Sequence, residues 1–203
     1  PMMIAHLGAN VLGAHAITNN LDSLAYMIPL GLGQALTIKV SHAQGRKDPR
    51  EARQICLTGF KLVFALALIL GSLKIVLRHD FAQMFSSEPD VQIIAASLFF
   101  FSAALGCFDS LQIATSGALR GYKDARVPLL IQIVAFWVIA FPIAYSLALT
   151  DVWGEPIGVY GFWTGLVIAA SLASLMMLYR WNFVSKKAIA TLDESLNPAT
   201  ALG

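Results

Sequence analysis

Charge is what this sequence has least of. Only 13% of its 203 residues are Asp, Glu, Lys or Arg, while 57% are hydrophobic. A soluble domain carries about 25% charged residues, so an ordinary water-facing globule is excluded, and the net charge of +2 gives no general electrostatic attraction. No basic run with interleaved aromatics offers a nucleic-acid surface. Cysteine is equally sparse. Cys56 and Cys107 both sit in apolar runs without metal-ligand spacing, which leaves them as packing residues rather than a zinc site or disulfide framework. His6, His15, His42 and His79 fall at expected turns or helix ends, and none pairs with another at metal-ligand spacing. A basic n-region is missing too, because the first Lys or Arg is Lys39, so the first apolar run is not a signal peptide. The chain opens Pro-Met-Met, and residues 1–17 read as the tail of a helix begun upstream, followed by a Gly-containing turn. A fragment is expected.

What the sequence does have is long apolar runs. Five are long enough to cross a hydrocarbon core of about 30 Å, at residues 18–40, 55–77, 91–116, 127–149 and 158–183. The fold class is an all-α polytopic membrane protein, with about five full transmembrane helices plus the end of a sixth. Residues 184–203 read as a polar cytoplasmic tail. Between the first two runs, Asp48-Pro49-Arg50-Glu51 reads as a helix start, with Asp48 as N-cap and Pro49 at the first position. Two prolines lie inside spans, Pro29 and Pro142. Each removes a backbone hydrogen bond and predicts a kinked helix. The bend at Pro29 serves either packing or the wall of a cavity. Gly158, Gly161 and Gly165 open the last run, where small residues let helices approach closely.

Orientation follows from the basic residues. Six flank the first turn (Lys39, Arg46, Lys47, Arg50, Arg53 and Lys61). Lys74 and Arg78 flank the end of the second run, at the turn expected there. Arg120, Lys123 and Arg126 follow the third, none follows the fourth, and Arg180, Lys186 and Lys187 follow the fifth. This alternation places the C-terminus in the cytoplasm by the positive-inside rule. Trp153, Tyr160 and Trp163 read as the outer aromatic belt, Tyr179 and Trp181 as the inner one.

The third run is the most informative. It reads VQIIAASLFFFSAALGCFDSLQIATS, and its only charge is Asp109. An ionised group at such depth is costly unless it faces a polar cavity or a partner. Ser102, Asp109 and Ser116 recur every seven residues, with Leu105, Gly106 and Gln112 alongside, and so define a narrow polar stripe on one helix face. The stripe is either a cation site, for a proton or Na⁺, or a hydrogen-bonding group that only holds helices together. In the first run, Asn19, Asn20 and Asp22 crowd the start. Asp22 reads equally as a helix-start residue or as part of a transport site. Asn19 and Asp22 join Ser102, Gln112 and Ser116 as candidate cavity-lining residues.

Three segments then carry a resemblance. SLAYMIPLGLGQALTIKV before a basic loop, GALRGYKDAR after an Asp-bearing helix, and EPIGVYGFWTG opening the last helix resemble the multidrug and toxic compound extrusion (MATE) family, in its NorM-like branch. The resemblance covers residues 1–183. It implies one lobe of a two-lobe, twelve-helix transporter, here the C-terminal lobe from the end of helix 7 through helix 12. Its partner is then the N-terminal lobe. It implies a bacterial inner-membrane antiporter that exports cationic amphipathic drugs in exchange for Na⁺ or H⁺, with no other cofactor. It also implies that Asp109 stands at the acid that holds the coupling cation. The alternative within the same superfamily is a lipid or polysaccharide flippase, which needs basic groups at depth for an anionic head group. A membrane-embedded enzyme needs a second catalytic group at depth, and the sequence offers Asp109 alone.

Overall fold

A computed structural model describes residues 8–149 and 157–196, and these residues are helical apart from short turns. Helix α1 spans Ala9–Gly45, α2 Pro49–Val76, α3 Arg78–Phe85 and α4 Pro89–Gly121. Helix α5 (Arg126–Ile133) continues through a π-helical stretch, Val134–Ala140, into α6 (Phe141–Leu149), and α7 spans Val159–Leu196. Among the described residues, four rods are long and apolar enough to cross a membrane: Pro49–Val76, Pro89–Gly121, Arg126–Ala148 and Val159–Leu196. Helix α1 has 37 residues and reaches about 55 Å, but Asn19, Asn20 and Asp22 lower its apolarity. The chain is therefore an integral membrane protein.

The local starts and stops follow from residue chemistry. The Asp48 carboxylate accepts the Glu51 N–H at 2.9 Å, with Pro49 next to it, as the sequence leads one to expect. Two of the turns share a pattern, Gly45-Arg46-Lys47-Asp48 and Gly121-Tyr122-Lys123-Asp124. In each, the Lys sits in the left-handed region (Lys47 φ 60°, Lys123 φ 63°). In each, the following Asp N–H reaches back into the preceding helix, Asp48 to Ala43 O at 3.0 Å and Asp124 to Leu119 O at 2.9 Å. Each turn satisfies carbonyls that the helix end would otherwise orphan.

At Pro142 the rod departs from α geometry. The proline's missing N–H leaves the preceding turn without a normal donor, and the chain widens there into π geometry, with the Phe141 N–H bonding Phe136 O. Pro29 is buried in α1, and the helix runs on through it.

Several expectations need correction. Among the described residues no turn separates the first stretch from residue 18, because α1 already begins at Ala9. The helix expected to end near residue 183 continues to Leu196, held by Arg50 on Asp193 at 2.8 Å. Trp163 is 1% exposed and Trp181 5%, so both are core residues rather than belt anchors, whereas Tyr179 faces outward. Trp153, His6 and the last seven residues of the expected tail lie outside the described residues.

Helix α4 is the centre of the bundle and packs against α1, α2, α3 and α7. Its contact with α1 is a contact of backbones. A Cβ on Gly117 would lie 2.2 Å from Gly33 O, and one on Gly121 would lie 2.6 Å from Val40 Cβ. Thr37 Oγ1 donates to Gly117 O at 2.9 Å across the same seam. Helix α7 meets α6 in the same way, at Gly161 and Gly165.

Two apolar clusters fill the ends of the bundle. One gathers Leu36, Val40, Phe60, Leu119, Met177 and Trp181, the other Ile17, Leu98, Phe99, Val159 and Trp163. At the first, Arg53 fastens α2 to α7. It donates to Ser185 Oγ and, at 2.8 Å, to Asn182 Oδ1, and its guanidinium lies 4.9 Å from the Trp181 ring centre. Replacing Arg53 by Ala is expected to cost about 1–3 kcal/mol through these lost contacts, read as a lower thermal midpoint of the detergent-solubilised protein.

Candidate functional site

Between the two apolar clusters, α1, α2 and α4 leave a small cavity of about 80 Å³. Helix α1 contributes Asp22, Tyr26 and Pro29, α2 contributes Gly71 and Lys74, and α4 contributes Ser102, Leu105, Gly106, Asp109 and Ser110. At that volume the cavity has room for water or a small cation, but not for a drug-sized molecule, which takes roughly 300–1,000 Å³.

Two carboxylates reach it, and their surroundings differ. Asp22 is paired: Lys74 donates to Asp22 Oδ1 and, at 3.1 Å, to Ser102 Oγ, and Ser102 in turn donates to Asp22 Oδ1 at 2.5 Å. The triad ties α1, α2 and α4 together. Asp109 makes no hydrogen bond or ion pair with any described residue. Pro29 adds a further polar group. It has no N–H to donate to the carbonyl one turn back, that of Ala25, and Ala25 lines the same cavity.

The residues singled out in the sequence therefore divide. Asp109, Asp22, Ser102 and Pro29 come together around the cavity. Gln112, Ser116 and Asn19 do not. Gln112 is 1% exposed, and neither atom of its amide has a partner among the described residues. Ser116 accepts from Arg120 at 3.3 Å. Asn19 lies 2.8 Å from His15 Nε2, toward the other apolar cluster. For Gln112 and Ser116 the physical reason is the Gly33–Gly117 contact, where α1 and α4 touch and leave no space on the stripe beyond Ser110. Pro142 stands on a different rod, and it too is absent from the lining. Asp22 is not a helix-start residue, because it lies well inside α1.

Sequence reasoning missed Lys74. Its place near the end of the second run suggests a turn, yet it is 7% exposed and sits inside the bundle. Asp109 is thus not the only ionisable group at depth. The signal was present in the run ILGSLKIVL, which continues apolar on both sides of the Lys.

Comparison with known proteins agrees with this architecture. The MatE family model matches residues 1–146. Multidrug resistance protein PmpM of Pseudomonas aeruginosa is 41% identical over 179 residues, covering 88% of this chain and 38% of that protein. Multidrug resistance protein NorM of Photobacterium profundum is 34% identical over 183 residues, covering 90% of this chain and 40% of that protein. In fold, the chain is similar to the crystal structure of the eukaryotic MATE transporter AtDTX14, with a TM-score of 0.78 at 22% identity, covering 90% of this chain and 41% of that one. The chain spans about two fifths of the length of the curated relatives it matches.

Proposed function

The chain belongs to the MatE family, and on that footing we propose that a transporter built on it is a cation-coupled antiporter exporting cationic amphipathic compounds across the bacterial inner membrane, its C-terminus in the cytoplasm. Its curated relatives are named multidrug resistance proteins. In this reading, Asp109 holds the coupling cation, Na⁺ or H⁺. The observation that carries it is the contrast within the cavity: the Asp22 carboxylate is paired with Lys74, while Asp109 has no hydrogen-bond or ion-pair partner among the described residues, in a space of ion size. An unpaired charge at membrane depth calls for a mobile counter-ion. Each ligand then shifts the transporter between its states only by its differential affinity for them, and a cation that must leave Asp109 before a cationic drug is drawn in couples the two fluxes.

A flippase for anionic head groups needs a free basic group at depth. The buried basic group of this cavity is Lys74, and it is occupied by Asp22, which favours the cationic substrate.

The experiment is uptake of a fluorescent cationic drug into proteoliposomes bearing a full-length transporter that carries these residues, energised by a Na⁺ gradient and, separately, by a pH gradient. One of the two is expected to drive accumulation and to name the ion. Accumulation driven by neither gradient overturns the reading.

A further inference from the structure

Gln112 is a buried polar group that the reading above does not use. It lies on α4 one turn beyond Asp109 and is 1% exposed, and neither its Nε2 nor its Oε1 has a partner among the described residues. Such a carboxamide is costly, because each polar atom has given up water and gained nothing in return. An orphan of this kind calls for an arrangement that satisfies it.

Its own helix shows which arrangement is within reach. On an α-helix the side-chain neighbours of Gln112 are three and four residues away, at Phe108, Asp109, Thr115 and Ser116. The Phe108 side chain has no polar atom. Thr115 Oγ1 donates to Leu111 O at 2.7 Å, and Ser116 Oγ accepts from Arg120 at 3.3 Å. Asp109 is left, polar and without a partner among the described residues. Direction agrees with spacing. A long helical side chain leans over the turn before it, onto the residues three and four positions earlier. That carries the Gln112 amide toward Asp109 and away from Thr115 and Ser116. Cβ atoms three residues apart lie about 5–6 Å from one another, so rotation about the Gln112 side-chain torsions spans the gap.

We propose that Gln112 is a second ligand of the coupling-cation site, its Oε1 turning to the cation or proton that Asp109 holds. The inference rests on Asp109 being the coupling site and adds a residue that binds the same occupant. An amide oxygen is an acceptor with two lone pairs. It coordinates Na⁺ as a hard oxygen ligand, or accepts the O–H of a protonated Asp109. The other titratable groups facing the cavity are Asp22 and Tyr26 from α1 and Lys74 from α2. Gln112 carries no charge, so its rotation leaves theirs as they are. It sets no limit on further ligands supplied by the rest of a full-length transporter.

The test titrates the coupling cation in drug–cation exchange by the full-length transporter in proteoliposomes and takes the thermal midpoint of the same proteins. Gln112→Met keeps the length of the side chain and deletes both polar atoms. It is expected to raise the half-saturating concentration of the coupling cation about tenfold or more, the scale of one lost hydrogen bond to a charged group. Its thermal midpoint is expected to stay level or rise, because two orphaned atoms are gone. Half-saturation unchanged in Gln112→Met overturns the proposal and leaves a packing residue. Half-saturation lowered overturns it too, since that is the result of an amide that only donates Nε2–H to the free carboxylate. Should Gln112→Met fail to reach the membrane folded, the parent protein decides. Its ¹⁵N-labelled Gln112 amide is expected to shift in solid-state NMR as the coupling cation saturates the site, and to lose that response in Asp109→Asn. An amide signal indifferent to the cation overturns the proposal. Asp109→Asn also separates the two levels. If it leaves coupled exchange intact, the coupling site is misplaced and this inference falls with it. If it abolishes exchange while Gln112→Met behaves as the parent does, only the Gln112 role is wrong.

Discussion

Gly117→Leu is expected to leave almost no folded transporter, and even Gly117→Ala is expected to cost about 3 kcal/mol or more, at or above the upper end for overpacked cores. The reason is that the obstacle is backbone. A Cβ on Gly117 meets Gly33 O at 2.2 Å, Gly33 C at 2.9 Å and Gly33 Cα at 3.1 Å, and none of these atoms can rotate aside as a side chain could. To admit the methyl group, α1 and α4 must part. That would break the Thr37 Oγ1 bond to Gly117 O and loosen the contact that closes one end of the Asp109 cavity. Gly31→Ala on α1 is the control. Its Cβ meets nothing within 4 Å, and Ala is the better helix former by roughly 0.5–1 kcal/mol, so the variant is expected to match or exceed the parent. The measurement is the monodisperse fraction on size-exclusion chromatography together with the thermal midpoint. Gly117→Ala behaving like Gly31→Ala would mean that the α1–α4 seam is not a close backbone contact.

How much of this was legible in the sequence depends on whether the signal was local. Asp48 with Pro49 announced the start of α2, because a cap and its proline are neighbours in the chain. Asp109 stood out because it is the only charge in a long apolar run. Pro142 announced a distortion, although not that it would take π geometry. Lys74 was misread because a Lys three residues before the end of an apolar run looks like a membrane boundary, whether it faces lipid head groups or an acid on another helix. What distinguishes the two is Asp22, 52 positions earlier in the chain, and pairing across that separation leaves no periodic trace. Trp163 and Trp181 were misplaced for the same reason. Position along a helix suggested a belt, but which side of the helix they occupy is set by α1, α2 and α4. The stripe on α4 was read on the correct face through Asp109. It failed one turn later, where Gly117 admits α1 and the space ends.

Asp109→Asn is expected to abolish cation-coupled export, by about a hundredfold or more, while leaving the protein as stable as the parent or more so. The two halves of this expectation have one cause. Asp109 donates nothing and accepts nothing from the described residues, so Asn, which has nearly the same shape, loses no contact. It also removes a charge whose burial at the centre of a membrane helix costs about 2.5–3.5 kcal/mol on insertion scales. The carboxylate is thus held against stability, and its neutral replacement gives up function while relieving that cost. Asp22→Asn in the same cavity goes the other way. It strands the buried Lys74 ammonium, and stranding one partner of a buried pair costs about 3–5 kcal/mol, reduced here because the Asp22 side chain is 25% exposed. Two acids lining one space are therefore expected to shift the thermal midpoint in opposite directions, Asp109→Asn level or upward and Asp22→Asn downward. A marked loss of stability in Asp109→Asn would make that residue part of the scaffold, and export lost along with the fold would then say nothing about coupling.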